Sequence, residues 1–257
     1  MTQHTSFFDY EFSVGSLVDI GKERKSNQDE VVICPEAGFY AVSDGMGGLS
    51  NGGDTSQLIK KVIPDIMEAA SRELSKDPSP EFAGELLKKR IGIISDTIYD
   101  TGNRLGRFNY GATLSGVWLI GRYALFVNIG DSRGYLLPRD GEKVETITED
   151  HNVAALLVKR GEITKDEALF HPSSSRLTRF VGMKKPAIPD VFVREVRPND
   201  RILLCSDGLY GMVNDSIFPS IMRSAINPDH VCEQLVEQAN NNGGRDNISV
   251  ICIEIVK

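Results

Sequence analysis

The chain has few cysteines, a shortage of positive charge and no long apolar run, and each shortage excludes something. Its four cysteines, Cys34, Cys205, Cys232 and Cys252, are scattered through 257 residues with no C-x-x-C pair. That excludes a zinc ribbon and a redox dithiol, and suits small buried hydrophobes in a reducing compartment. No stretch approaches the ~20 apolar residues of a membrane span. Residues 1–12 have neither a basic start nor an apolar segment, so no secretory leader is expected. The protein is expected to be cytoplasmic. Positive charge is also short: 29 Lys and Arg against 36 Asp and Glu leave a net charge of -7, which argues against broad nucleic-acid binding or attraction to anionic membranes. No His-x-x-x-His pair or Cys-x₅-Arg loop occurs, which removes the common zinc and cysteine-phosphatase chemistries. There is no repeat, low-complexity tract or evident linker, and a 40% hydrophobic fraction is enough for a sizeable core.

What the chain has is aspartate beside apolar strands. Asp44 follows Phe39-Tyr40-Ala41-Val42-Ser43, Asp207 follows Ile202-Leu203-Leu204-Cys205-Ser206, Asp246 precedes a closing strand, and Asp29 precedes Val31-Val32-Ile33. Carboxylates fixed at strand ends can converge, and convergence without matching Lys or Arg calls for a divalent cation. Asp-Gly alone is ordinary turn chemistry. Here Asp44 is followed by Gly45, Gly47, Gly48, Gly52 and Gly53, more glycine than one turn needs. Such a run lets backbone approach an ion, and the Gly45 carbonyl is itself a candidate ligand. An all-oxygen set suits Mg²⁺ or Mn²⁺.

Patterning predicts strands at 12–20, 31–34 and 38–43, then two long helices, one capped by Asp54 or Thr55 and one over 81–105, separated by Asp77-Pro78-Ser79-Pro80. Strands resume at 112–119, 123–130 and 133–137, with two short helices around Gly161, strands at 190–196 and 200–205, helices at 214–224 and 228–242, and a strand at 247–256. This order reads as α+β: two antiparallel sheets face to face, a helix pair on each outer side, using every element.

The ordered set Arg24-x-x-Asn27-Gln28-Asp29, Asp44-Gly45-Met46-Gly47-Gly48, Gly111-Ala112-Thr113, Gly130-Asp131-Ser132-Arg133, Asp150-His151, Leu177-Thr178-Arg179, Ser206-Asp207-Gly208-Leu209 and Asp246-Asn247 resembles the bacterial metal-dependent protein phosphatases of type 2C. The resemblance spans about residues 12–256. It implies a single catalytic domain with an αββα sandwich, and hydrolysis of phosphoserine and phosphothreonine by water activated between two Mn²⁺ or Mg²⁺ ions. It implies Asp44 bridging the ions, the Gly45 carbonyl on one, Asp207 and Asp246 on the other, and Asp29 acting through bound water. Asp131 would help bind a third ion, and Arg24 would grip the substrate phosphate. Asp44, Asp207 and Arg24 are the expected catalytic set. The implied partners are phosphoproteins and an opposing Ser/Thr kinase, and a monomer is expected. Met46 stands where some relatives carry His, so that position supplies no general acid. His151, Arg133 and Arg179 are expected to be structural, Trp118 to be core, and His4, His171 and His230 to lie at the surface. A binding module without turnover and a hydrolase of small phosphorylated molecules are the competing readings; the first would lack Asp44, Asp207 or Asp246.

Overall fold

A computed structural model describes residues 9–46, 52–106, 110–184 and 186–256. Gly47, Gly48 and His4, singled out above, lie outside the described residues. In chain order the strands and helices are β1 (Phe12–Asp19), β2 (Asp29–Cys34), β3 (Phe39–Met46), α1 (Gly52–Leu74), α2 (Pro80–Arg104), β4 (Gly111–Ala112), β5 (Leu114–Ile120), β6 (Tyr123–Ile129), β7 (Arg133–Leu137), β8 (Glu145–Thr146), α3 (Val153–Lys159), α4 (Lys165–Leu169), β9 (Asp190–Glu195), β10 (Arg201–Cys205), α5 (Asp207–Tyr210), α6 (Phe218–Ser224), α7 (Pro228–Asn241) and β11 (Ile248–Ile255). None of the described helices is long and apolar enough to cross a membrane.

The strands form two antiparallel sheets, ordered β1-β11-β10-β7-β8 and β2-β3-β5-β6-β9, with β4 also on β3. Successive side chains of a strand point to opposite faces, and here both faces are apolar. On β3, Phe39 and Ala41 join α1 and α2 in one core, while Tyr40 and Val42 enter the core between the sheets. On β10 and β11, Leu203 and Cys252 pack with α6 and α7, while Leu204, Ile251 and Ile253 face the opposite sheet. Three core layers follow from four structural layers. A fully buried Ile or Leu in them contributes about 1.5–3 kcal/mol. All four cysteines are buried and unpaired, and Trp118 is core, its indole N–H donating to the Ala37 carbonyl at 2.8 Å.

The αββα sandwich stands as expected, with two corrections. The pair α3 and α4 joins neither outer layer; it belongs to an excursion between β8 and β9 that returns through Leu177 as a bridge to Asn152. Its apolar side chains are too few and too exposed to build a layer, with Phe170 87% exposed. Asp54 and Thr55 lie inside the first turn of α1 and do not precede it. An acidic residue there still favours the positive end of the helix dipole.

Candidate metal centre

The register of the sheets gathers the aspartates. Asp29 and Asp44 pair directly across β2 and β3, an arrangement of like charges that is unfavourable by itself. Asp207 opens α5 immediately after β10, and Asp246 precedes β11, the neighbour of β10. Asp44 lies two residues inside the end of β3, and Asp207-Gly208 begins a helical turn in place of the tight turn expected from Asp-Gly. Asp44, Asp131 and Asp207 line one cleft of about 100 Å³ with Met46, Thr113, Ser175 and Leu177. Ser175 and Leu177 come from the excursion, which walls one side. A larger hollow of about 510 Å³ lies between the Arg139–Glu142 turn and α6. Its cations are engaged, Arg223 with the carbonyls of Pro138, Arg139 and Gly141, and Arg139 with Asp140.

The carboxylates resist ionisation together. Burial, then the charge of Asp246, pushes Asp29 up to about 6. Burial and then Asp150 push Asp131 up to about 7. Asp44 is driven well above the carboxylate range by burial and then by Asp29, Asp207, Asp131 and Asp246. Asp207 is driven up by burial and then by Asp131, with Arg24 partly opposing. Asp29 Oδ2 and Asp207 Oδ1 are buried with no hydrogen-bond partner among the described residues. An orphaned buried carboxylate oxygen is costly unless something else meets it. Oxygen donors, mutual repulsion and two unpartnered oxygens fit hard divalent cations. The set is not drawn up at coordination distance: among the described residues no three acidic, His or Cys side chains form a ready ligand group. One reason is Asp246, whose Oδ2 accepts from Arg24 Nη2 at 2.6 Å and whose Oδ1 accepts from the Asn247 N–H. The residue expected to grip phosphate and a residue expected to hold metal are therefore paired with each other at the rim.

Several residues quoted in the motifs support the site through contacts that the sequence does not show. Asn247 accepts from the Gln28 N–H and donates to the Ile20 and Ser26 carbonyls, fixing the loop of Arg24 and Asp29 against β11. Gly208 is required beneath it, since a Cβ there would lie 2.0 Å from the Asn247 carbonyl oxygen. Gly45, buried, donates its N–H to the Gln28 carbonyl. Thr113 Oγ1 accepts from the Asp44 N–H at 2.9 Å and bonds Ser132 Oγ at 2.7 Å. Polar contacts of this range are invisible to periodicity.

His151 and the two arginines are structural, as expected. His151 Nδ1 accepts from the Gly130 N–H, so the proton sits on Nε2, which faces Asp190 at 2.9 Å. Burial holds His151 below its usual value. Arg179 clasps Asp190 through two bonds of 2.8 Å, and Arg133 clasps Asp150 at 2.9 and 2.7 Å. His171 and His230 are half-buried at the periphery.

Residues 22–238 match the family model described as protein phosphatase 2C. Protein phosphatase PhpP of Streptococcus pneumoniae is 32% identical over 245 residues, covering 94% of this chain and 97% of its own. The structure of PppA, described as a key regulatory component of T6SS in Pseudomonas aeruginosa, is similar with a TM-score of 0.82 at 28% identity, over 95% of this chain and 97% of PppA. The catalytic domain of the serine/threonine protein phosphatase PstP, in complex with 2 manganese ions, matches with a TM-score of 0.74 at 30% identity, over 96% of this chain and 99% of that one. The chain belongs to the protein phosphatase 2C family, in its bacterial branch, and is a serine/threonine protein phosphatase.

Proposed function

We propose that this phosphatase forms a single catalytic domain and hydrolyses phosphoserine and phosphothreonine esters on proteins with two Mn²⁺ or Mg²⁺ ions held by Asp44, the Gly45 carbonyl, Asp207, Asp246 and Asp29. Asp131 serves a third, weaker position. The observation that carries this reading is the pair of buried orphan oxygens, Asp29 Oδ2 and Asp207 Oδ1, within five clustered aspartates. PstP, with its 2 manganese ions, supports the choice of metal. Bound cations would supply a hydroxide nucleophile near neutral pH and neutralise phosphoryl charge.

The chain's own groups do the rest. Asp29 and Asp44, opposed across the β2–β3 pair, present their oxygens from rigid backbone. Arg24, half-exposed at the rim, is positioned to exchange Asp246 for a substrate phosphate, and its planar fork matches two phosphoryl oxygens. Met46 and Leu177 give the cleft an apolar wall that limits water around the ester. No phosphoenzyme is needed. The enzyme works as a cytoplasmic monomer opposing a Ser/Thr kinase.

Hydrolysis of a phosphothreonine peptide is the test, run with Mn²⁺, with EDTA, and with Asp207→Asn. Phosphate release that needs Mn²⁺ and disappears in the variant supports the reading. A folded protein that binds Mn²⁺ yet turns over nothing, or one active in EDTA, overturns it.

A further inference from the structure

Two carboxylates of the cleft stand on segments that meet at one phenol. Asp207 opens α5 and Tyr210 closes it one turn later. The Tyr210 hydroxyl donates to the Asp131 backbone carbonyl at 2.9 Å. Its ring lies against the Arg133 guanidinium, whose Cζ is 3.6 Å from the ring centroid. Arg133 is held in that plane by Asp150. The β7–β10 ladder ends with Cys205 opposite Arg133, so beyond it the phenol carries the link from the Gly130–Arg133 turn to the helix of Asp207. On the other side the same turn is tied to Asp44 through Ser132 and Thr113. Gly130, with φ 120° and Thr113 2.6 Å from where its Cβ would stand, lets the turn pack that closely.

We propose that Tyr210 is a positioning residue that fixes the spacing of the Asp131 and Asp207 carboxylates, and so the fit of the cations between them. Two mutually repelling carboxylates on separate segments drift apart unless the segments are tied. Binding constellations need supporting contacts to hold them within about 0.5 Å. The stacked guanidinium fixes the ring while the hydroxyl fixes the turn, so the two functions separate by substitution.

This inference rests on the cation reading, and the test keeps the two apart. Mn²⁺ is titrated calorimetrically into metal-stripped wild type, Tyr210→Phe and Tyr210→Leu. Backbone hydrogen exchange of the Gly130–Arg133 turn is followed in EDTA. Tyr210→Phe keeps the ring on Arg133, so it should melt within about 4 °C of wild type, the shift that one lost hydrogen bond gives in a chain of this size. It should nonetheless bind Mn²⁺ about five-fold or more weakly, the net worth of one hydrogen bond, and exchange the turn faster. The KM for phosphopeptide should stay unchanged. Tyr210→Leu should lose the melting temperature as well. Tyr210→Phe binding Mn²⁺ as wild type does, whatever its exchange, overturns the positioning role. Wild type that takes up no Mn²⁺ overturns the cation reading and this one with it.

Discussion

Replacing Asp29 by Asn should stabilise the metal-free protein while weakening its hold on metal. Asp29 is 3% exposed, and its carboxyl is pushed from 3.8 to about 6 by burial and then by Asp246. In the unfolded chain the group ionises first, so stability falls as pH rises from about 4 through 6 and stays low above that. At about 1.4 kcal/mol per pKa unit, the ionised form costs about 3 kcal/mol near pH 7.5. Asn keeps the size of the side chain and an oxygen acceptor and removes the charge facing Asp44. For a chain of this size that corresponds to about 6–12 °C in melting temperature. Melting curves in EDTA at pH 5 to 8 measure it: the variant should melt above wild type at pH 7.5, the gap closing toward pH 4. With Mn²⁺ at ~1,000 times its Kd, wild type should regain about 4.1 kcal/mol that the variant lacks, reversing the order. A variant melting at or below wild type in EDTA at pH 7.5, or a gap independent of pH, would refute the repulsion argument.

Three further outcomes bear on the framework. Folded His151 resists protonation, so below its ordinary 6.5 the unfolded chain takes up the proton first and its contribution to stability drains away as pH falls. His151→Gln should cost about 2–4 kcal/mol in denaturant unfolding near pH 7.5, and it should flatten the acid slope between pH 6.5 and 5. Gly208→Ala should cost more than about 3 kcal/mol because its Cβ meets the Asn247 backbone. Gly92→Ala, on α2 with open space around it, should instead stabilise by about 0.5–1 kcal/mol in the same assay.

Apolar patterning alone determined most of the architecture. Phe39-Tyr40-Ala41-Val42 is a short unbroken apolar run, which suits a strand covered on both faces. The helix pairs were equally legible, because a breaker or loop separates long amphipathic runs. The aspartates were legible because a carboxylate beside an apolar strand and a glycine run contradicts ordinary core composition. The tertiary structure decided what no local pattern encodes. It removed α3 and α4 from the outer layers and laid their return over the cleft at Ser175 and Leu177. It paired Arg24 with Asp246 across 222 positions of sequence, and joined Tyr210 to Asp131 across 79. Such contacts are single hydrogen bonds between distant segments. Their partners are chosen by sheet order and register, which set which strand ends become neighbours, so they exist only once the sheets have closed.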